Sequence, residues 1–483
     1  MKYKFKRSPR SYQLKGLRKI LEADNAFALW FDPGVGKTKV AIDYMAILQM
    51  KYFAMNTLII CPISAMGVWD EEIWKDHPSA DHQNITTLVG TRNEKITDMK
   101  AVMGRPGSNH VVIVNYDALM VRKTKTKQIH LINLILKWKP QYLIVDEMHY
   151  TKGPNTHRSK AVKRIRDNAR WIVGLTGTPI PKDYLDLFSQ FRILDDTIFG
   201  KSYAQFRDRY AHMNHVFPTK VDGWKNLKEL SELIAPISYR VKDTEVKDLP
   251  PLIIRDIPIL FGAKSKKIYT QMFKELVAEL DEYECVTADM AAIKALKLQQ
   301  ITGGFIMRTD LSMVNEKVKK TRVTFPVGTE KLDVCMDLVR KYKDGNKILI
   351  GCRFRWEVEQ ISLRLKKGGI GHVVIMGGVP YQTREDNKTA FNIDKKCRVI
   401  IFQVASATAM TLVSGNIGIL YSCTHKFDDY WQWLKRIHRE GQLKPVYILR
   451  LSVKGTVDNI IYKDLEKKGR LTPHIIEDYR PKF

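Results

Sequence analysis

Short apolar runs punctuate the chain, each closed by a turn or a polar loop. In the first half they are AFALWF (26–31), TLIICP (57–62), HVVIVNY (110–116), YLIVDE (142–147) and RWIVGLTGTP (170–179). Continuous apolar runs of this length mark strands buried on both faces, as in a parallel sheet whose crossover helices cover it. Helix-like segments such as Lys39–Met50 lie between several of the runs. The pattern predicts a doubly wound α/β domain. The second half repeats the style with IIRDIPIL (253–260), KILIGC (347–352), HVVIMGG (372–378), RVIIFQVA (398–405), GILYSCT (418–424) and VYILRL (446–451). A second parallel sheet is expected there.

At 483 residues the chain is too long for one hydrophobic core. The proline pair in KDLPPLIIRD precedes a strand and suits a junction, so domains are expected at 1–249 and 250–483. Between the apolar runs lie charged, helix-favouring stretches, among them SKKIYTQMFKELVAELDEYE and ADMAAIKALKLQQI. Helical insertions are therefore expected at about 195–235 and 263–325.

Charge changes the picture. There are 80 lysines and arginines against 52 acidic residues, a net +28. An excess of that size points to a polyanion, nucleic acid first, with acidic membrane surfaces as the rival. Apolar content of 44% and charged content of 27% are ordinary for a globular protein. The six cysteines are scattered without a C-x-x-C pair, which signals neither a zinc site nor a disulfide framework and fits a reducing, intracellular setting. No apolar run reaches the ~18 residues of a membrane span. The basic N-terminus lacks the apolar stretch of a secretory signal.

Candidate chemistry sits at the strand ends. AFALWF runs into Gly34-Val35-Gly36-Lys37-Thr38, and a helix follows. Glycines let backbone N–H groups approach phosphate, and the helix N-terminus adds its positive end. Lys37 would reach the β- and γ-phosphates and Thr38 would ligate Mg²⁺. The full G-x-x-x-x-G-K-[ST] pattern asks for glycine at position 31, where this chain has Phe31. The bland alternative is a glycine-rich turn with an exposed lysine.

Asp146-Glu147-Met148-His149 ends the strand YLIV. Asp146 can hold Mg²⁺ through water, and Glu147 can orient and deprotonate the attacking water. Thr176 and Thr178 flank a glycine at another strand end, where their hydroxyls could sense the γ-phosphate; T-G-T-P is also an ordinary turn. In QWLKRIHREGQ, Arg436 and Arg439 stand three apart and share a helix face. They could act as arginine fingers or belong to a solvated basic helix. Gln13 offers one donor and one acceptor, enough to bind adenine N6 and N7 together.

In this order the motifs resemble a superfamily 2 helicase-type ATPase, and more narrowly the Swi/Snf-type DNA translocases. PRSYQLKGL is similar to the opening glutamine motif. LIICPISAMGVWDEEIWK resembles the second motif, and DEMHYTKGPNTHRSKAV the acidic one. PKDYLDLFSQFRIL resembles the stretch after Thr-Gly-Thr-Pro, and QWLKRIHREGQLKPVYILRLSVKGTVDNII is the most specific match. The resemblance spans about residues 8–465. It implies two RecA-like parallel-sheet domains in tandem, with ATP between them and nucleic acid crossing both on another face. Gln13 would read adenine. Gly34, Gly36, Lys37 and Thr38 would hold the triphosphate, while Asp146 and Glu147 manage Mg²⁺ and water. Arg436 and Arg439 would complete the site, and Thr176, Thr178 and Gln432 would couple it to DNA. Family position also implies a DNA track along Pro62, Ser64, Tyr116, Arg353, Gly378 and Ser406. The loop VRKTKTKQ, with Arg122, Lys123, Lys125 and Lys127, either adds to that track or is simply solvated.

Two departures stand out. One is Phe31. The other is QVASATAMTL (403–412), where the family usually has a glycine-rich run and this chain has Ala405, Ser406 and Ala407. The expectation is an ATP-dependent, sequence-independent DNA helicase or translocase acting on duplex, forked or branched DNA. A chain with little beyond the motor suits a phage or bacterial protein in replication, recombination or repair, in the cytoplasm or nucleoid, or the host cytoplasm if phage-encoded. Replication or recombination proteins would be its partners, and no membrane is expected. The alternatives are an RNA-stimulated helicase, an ATP-binding switch with little turnover, and the motor subunit of a restriction or defence complex.

Overall fold

The computed structural model describes residues 3–468 apart from 24, 53–54, 80–83, 106–108, 121–129, 216–219, 243–244, 246–248, 283–287, 315–316, 405–411 and 440. Contacts divide the chain into two units, the first running to Asp248 and the second Leu249–Lys467.

The strands of the first unit are β1 (Ala26–Phe31), β2 (Thr57–Cys61), β3 (Ile85–Thr87), β4 (Val111–Asn115), β5 (Tyr142–Asp146), β6 (Trp171–Leu175), β7 (Ala211–Met213), β8 (Val221–Trp224) and β9 (Ser238–Val241). Seven of them form one sheet in the order β3-β4-β2-β5-β6-β1-β9. Every neighbouring pair in it is parallel. The helices are α1 (Ser11–Glu22), α2 (Lys37–Tyr52), α3 (Met66–Asp76), α4 (Arg92–Gly104), α5 (Leu131–Trp138), α6 (His157–Arg166), α7 (Asp186–Leu194), α8 (Tyr203–Tyr210) and α9 (Leu227–Ile234).

β1, β2, β4, β5 and β6 are buried along their whole length, which is why each reads as an unbroken apolar run. β9 escapes that reading. Its sequence SYRV alternates half-buried with buried positions at the sheet edge. Because the strands are parallel, the segments following β1, β2, β4, β5 and β6 all emerge at one carboxyl edge. That edge is where open α/β sheets place ligands.

A buried ionic cluster seats α2. Lys39 Nζ donates to Asp43 at 2.9 Å and lies 3.5 Å from Asp76 of α3. From the N-terminal segment, Arg7 grips both oxygens of Asp76, at 2.8 and 2.6 Å, and Tyr3 donates to Asp43 at 3.0 Å. Burial raises the Asp43 carboxyl, and the Lys39 ammonium opposes it. Removing one member would leave a buried charge uncompensated.

The strands of the second unit are β10 (Leu252–Ile259), β11 (Phe305–Val314), β12 (Lys317–Pro326), β13 (Ile348–Cys352), β14 (His372–Ile375), β15 (Val399–Gln403), β16 (Ile417–Leu420) and β17 (Val446–Val453). Six of them form a second parallel sheet, in the order β10-β17-β16-β13-β15-β14. Its helices are α10 (Ala263–Glu282), α11 (Ala288–Thr302), α12 (Glu330–Tyr342), α13 (Arg355–Lys367), α14 (Tyr381–Ile393), α15 (Phe427–Ile437) and α16 (Val457–Lys468). Two parallel sheets in tandem, each with helices, agree with the RecA-like class expected from the motifs.

The expected insertions differ from the observed ones. Between 195 and 235, α8 and α9 flank the antiparallel hairpin β7–β8. In 263–325, α10 and α11 are followed by a second antiparallel hairpin, β11–β12, where helix was expected. Its β12 sequence, KVKKTRVTFP, is lysine-rich like the helices before it, but its Val, Thr and Phe content favours a pleated strand. Among the described residues, no helix is long and apolar enough to cross a membrane.

Candidate nucleotide site

β1 ends at Phe31, whose ring is fully buried. It meets Tyr12 edge-on at 6.2 Å between centroids and Tyr239 at 5.7 Å. Position 31 is thus a core position at a strand end, and its large side chain fills space behind the loop. The backbone then turns: Asp32 N donates to Val241 O of β9 at 3.0 Å, and Val35 N to Asp32 O at 3.2 Å. Gly34 and Gly36 both have φ 81°, the left-handed region that disfavours a side chain. α2 starts at Lys37, so its unpaired N–H groups and positive end face the loop. Lys37 is buried and Thr38 half-buried.

Gln13 of α1 closes over this turn. Its Nε2 donates to Gly36 O at 3.3 Å and to Val35 O at 3.5 Å, while its Oε1 accepts from Arg10 N at 2.9 Å. The amide therefore clasps the loop, a role that the sequence reading, with its adenine contact, did not foresee.

The acidic pair follows β5. Asp146 accepts from the Trp69 indole N–H at 2.9 Å and from Glu147 N at 2.9 Å. Burial raises the Asp146 carboxyl, the Glu147 charge raises it further, and the Lys37 ammonium pulls it back. Glu147 has φ 49°, uncommon for a residue with a side chain. A left-handed residue at a strand end re-aims the chain sharply.

His149 joins this pair to the strand end of β6. Its Nδ1 lies 3.3 Å from Glu147 Oε2 and 2.8 Å from Thr176 Oγ1. Thr178 N donates to Thr176 Oγ1 at 3.0 Å, and Thr178 Oγ1 is 3.4 Å from the same ring nitrogen. Gly177 lets the two loops touch, since a Cβ there would lie 2.7 Å from the Pro33 ring. A continuous polar path therefore runs from Glu147 to the threonine hydroxyls. His149 and Trp69 were within quoted motifs, in Asp-Glu-Met-His and in the tryptophan helix, but neither carries a role in the sequence reading.

The oxygen donors suit Mg²⁺, a hard cation that takes carboxylate, hydroxyl and phosphate oxygens. The electrostatics suit it as well, because Asp146 and Glu147 are both buried and the Glu147 charge raises the cost of charging Asp146. Asp146 and Thr38 would hold it.

The remaining expected residues fall differently. Tyr116 was expected on a DNA track. Its ring is buried and its hydroxyl donates to Asp146 O at 2.6 Å, so it supports the acidic turn from inside. Pro62 is buried, Ser64 is half-buried and Gly378 is exposed. Arg353 is half-buried, its N–H donates to Ser422 Oγ at 2.7 Å, and its guanidinium donates to Gln299 Oε1. Ser406, with Ala405 and Ala407, and the basic loop holding Arg122, Lys123, Lys125 and Lys127 lie outside the described residues. Gln432 and Arg436 are buried on α15, and Arg436 Nε donates to Gln432 O at 3.1 Å. That burial separates Arg436 from a solvated basic helix. The shared helix face expected for Arg436 and Arg439 is not formed, because α15 stops at Ile437 and Arg439 lies beyond it.

The SNF2-related domain family matches residues 12–321, and the helicase conserved C-terminal domain matches 330–441. An uncharacterized ATP-dependent helicase of Mycoplasma genitalium is 25% identical over 484 residues, covering 97% of this chain and 42% of the relative. The human DNA annealing helicase and endonuclease ZRANB3 is 24% identical over 484 residues, covering 98% of this chain and 41% of the relative. The chain thus spans about two fifths of the length of these relatives. A solved Sulfolobus solfataricus SWI2/SNF2 ATPase core in complex with dsDNA is 22% identical, covers 99% of this chain and 95% of that one, and has a TM-score of 0.43. With a family match over most of its length, the chain belongs to the SNF2-related, Swi/Snf-type branch of superfamily 2, the nucleic-acid-dependent ATPases of helicase type.

Proposed function

We propose that this chain binds ATP with Mg²⁺ and uses its hydrolysis to move along DNA, remodelling forked or branched DNA without reading sequence. The observation that carries the proposal is the path from Asp146 and Glu147 to His149 and Thr176, with the Lys37 ammonium at the head of α2 acting on the Asp146 carboxyl. Lys37 and the α2 N-terminus would bind the triphosphate. Mg²⁺, when bound, would neutralise phosphate charge. Glu147 would take the proton of the attacking water, and His149 would hold Glu147 in place and report its state to Thr176 and Thr178. Arg436 and Arg439 are proposed to offset charge in phosphoryl transfer, and Gln432 to couple that step to DNA. Gln13 would read adenine with the hydrogen-bonding capacity left over from the loop.

DNA as the track is supported by the +28 charge and by relatives named as DNA annealing helicases. Pro62, Ser64, Arg353, Gly378 and Ser406 are proposed to line it, making phosphate contacts that carry no sequence information. An intracellular site, in cytoplasm or nucleoid, and replication or recombination proteins as partners go with this reading.

The test is ATP turnover with no nucleic acid, single-stranded DNA, duplex DNA, forked DNA and RNA. Stimulation by DNA, strongest with forks, is expected. Stimulation by RNA alone overturns the DNA reading, and absence of turnover in every condition overturns the motor. Strand displacement on forks and four-way junctions, run beside triplex displacement on plain duplex, then separates unwinding from translocation. Arg439→Ala should lose turnover while keeping DNA affinity.

A further inference from the structure

Arg353 follows β13 directly, Gln403 ends β15, and Gly377 lies just past β14. β15 runs between β13 and β14 and is parallel to both, so the three residues share one carboxyl edge of the second sheet. A side chain at the end of the middle strand has a turn on either side, each about 5 Å away. Gln403 reaches both. Its Oε1 accepts from Gly377 N at 3.1 Å, and its Nε2 donates to Arg353 O at 3.4 Å. The two partners also fix the amide's orientation, since the N–H requires the oxygen and the carbonyl requires the nitrogen.

The turns on either side are built to be held. Arg353 N donates to Ser422 Oγ at 2.7 Å, and the guanidinium donates to Gln299 Oε1, a neutral amide that leaves its charge in place. Past β14, Val379 N donates to Met376 O at 3.3 Å, closing a tight turn. Gly378 has φ 86°, the left-handed region that the third position of such a turn favours. A Cβ added at Gly378 would meet nothing within 4 Å, so its backbone faces open space. Gly377 and Gly378 are exposed and Arg353 is half-buried.

We propose that Gln403 is a positioning residue that ties the Arg353 turn to the Gly377–Gly378 turn, so that both meet the DNA backbone as one rigid unit. The inference rests on the DNA reading above, which places Arg353 and Gly378 on the track. Arg353 brings a charge to one phosphate, and the glycine turn lets a second phosphate approach the backbone closely. Gln403 touches neither. It sets the spacing between the two contacts, and that removes the cost of ordering two separate loops on binding.

The test measures DNA-stimulated ATP turnover of the full chain, of Gln403→Met, of Arg353→Ala and of the double variant. Blunt duplex DNA is titrated across salt, with thermal unfolding run alongside. In Gln403→Met the DNA concentration for half-maximal stimulation should rise about tenfold, as two neutral hydrogen bonds are lost, while kcat at saturating DNA stays within about twofold. The log–log salt slope should fall by about 1 to 2, near 0.9 per lost phosphate contact. In the Arg353→Ala background the same substitution should cost about threefold or less, because one of the two contacts it aligns is already gone. A merely structural lesion would add its full factor in both backgrounds. Wild-type DNA response in Gln403→Met, or an equal loss with and without Arg353, overturns the positioning role and leaves the track standing. Wild-type DNA response in Arg353→Ala overturns the track at that residue and the proposal with it.

Discussion

Trp69 donates its indole N–H to Asp146 Oδ2 at 2.9 Å, so a helix that follows β2 holds the carboxylate that ends β5. This bond stabilises the charged form of Asp146 against burial. In Trp69→Phe the ring still packs but the donor is gone. Hydrogen bonds to charged groups contribute about 1.5–3 kcal/mol, so half-maximal turnover should need roughly ten- to hundredfold more Mg²⁺. The measurement is a magnesium titration of ATP turnover. An unchanged magnesium requirement removes Trp69 from this role.

Gln13→Ala deletes both donors to the glycine turn and leaves Arg10 N without its acceptor. The KM for ATP should rise about tenfold, at ~1 kcal/mol per neutral hydrogen bond, with a smaller change in kcat. Gln13→Glu keeps the acceptor for Arg10 but loses the donors, and should behave like the alanine variant. A glutamate variant with wild-type KM would show that the clasp on Val35 and Gly36 is dispensable.

Lys37→Ala and Glu147→Gln should each abolish turnover. They differ in binding. The lysine variant loses ATP affinity, whereas the glutamine variant retains it, because Glu147 is proposed to act on water and not on the nucleotide. Nucleotide titration beside single-turnover hydrolysis tells them apart, and wild-type turnover in Glu147→Gln would take Glu147 out of catalysis.

Phe31→Ala empties a fully buried site between Tyr12 and Tyr239, against which Gly16 also passes, with a Cβ there only 3.1 Å from the ring. Truncating a buried phenylalanine costs about 3–5 kcal/mol. Denaturant unfolding should show a loss of that order, and ATP should bind more weakly because the turn begins on this residue. Weakened binding without lost stability would mean that Phe31 acts on the nucleotide directly.

Glu357 gives a pH signature in the second unit. Burial pushes its carboxyl up to about 7, against the donors Ser422 Oγ and Phe354 N. The folded chain therefore keeps a proton that the unfolded chain releases, from the ordinary value of 4.5 up to about 7. Stability falls as pH rises through that window and levels off above it. Glu357→Gln should flatten this dependence and raise the denaturation midpoint at pH 8 relative to pH 5. A variant with the wild-type slope would assign the titration to another group.

Much of this was legible in the sequence because β1, β5 and β6 are buried on both faces and carry their chemistry immediately after the last apolar residue. Legibility fails where burial is one-sided or contacts are distant. β9 alternates, so no apolar run announces it. β12 resembles a charged helix until its β-branched positions are weighed. Spacing alone puts Arg436 and Arg439 on one face, but the helix stops between them. Tyr116 and Trp69 reach Asp146 across the sheet and from a neighbouring helix, contacts no local pattern conveys.

The glycine turn also has a history within each molecule. β1 is flanked by β6 and β9, and Asp32 N is held by Val241 O. Synthesis delivers the turn early and its supports late. A nascent chain that has emerged only as far as α2 carries the residues of the turn but neither of the strands that hold them, so the supports of the turn are complete only once β9 has been made.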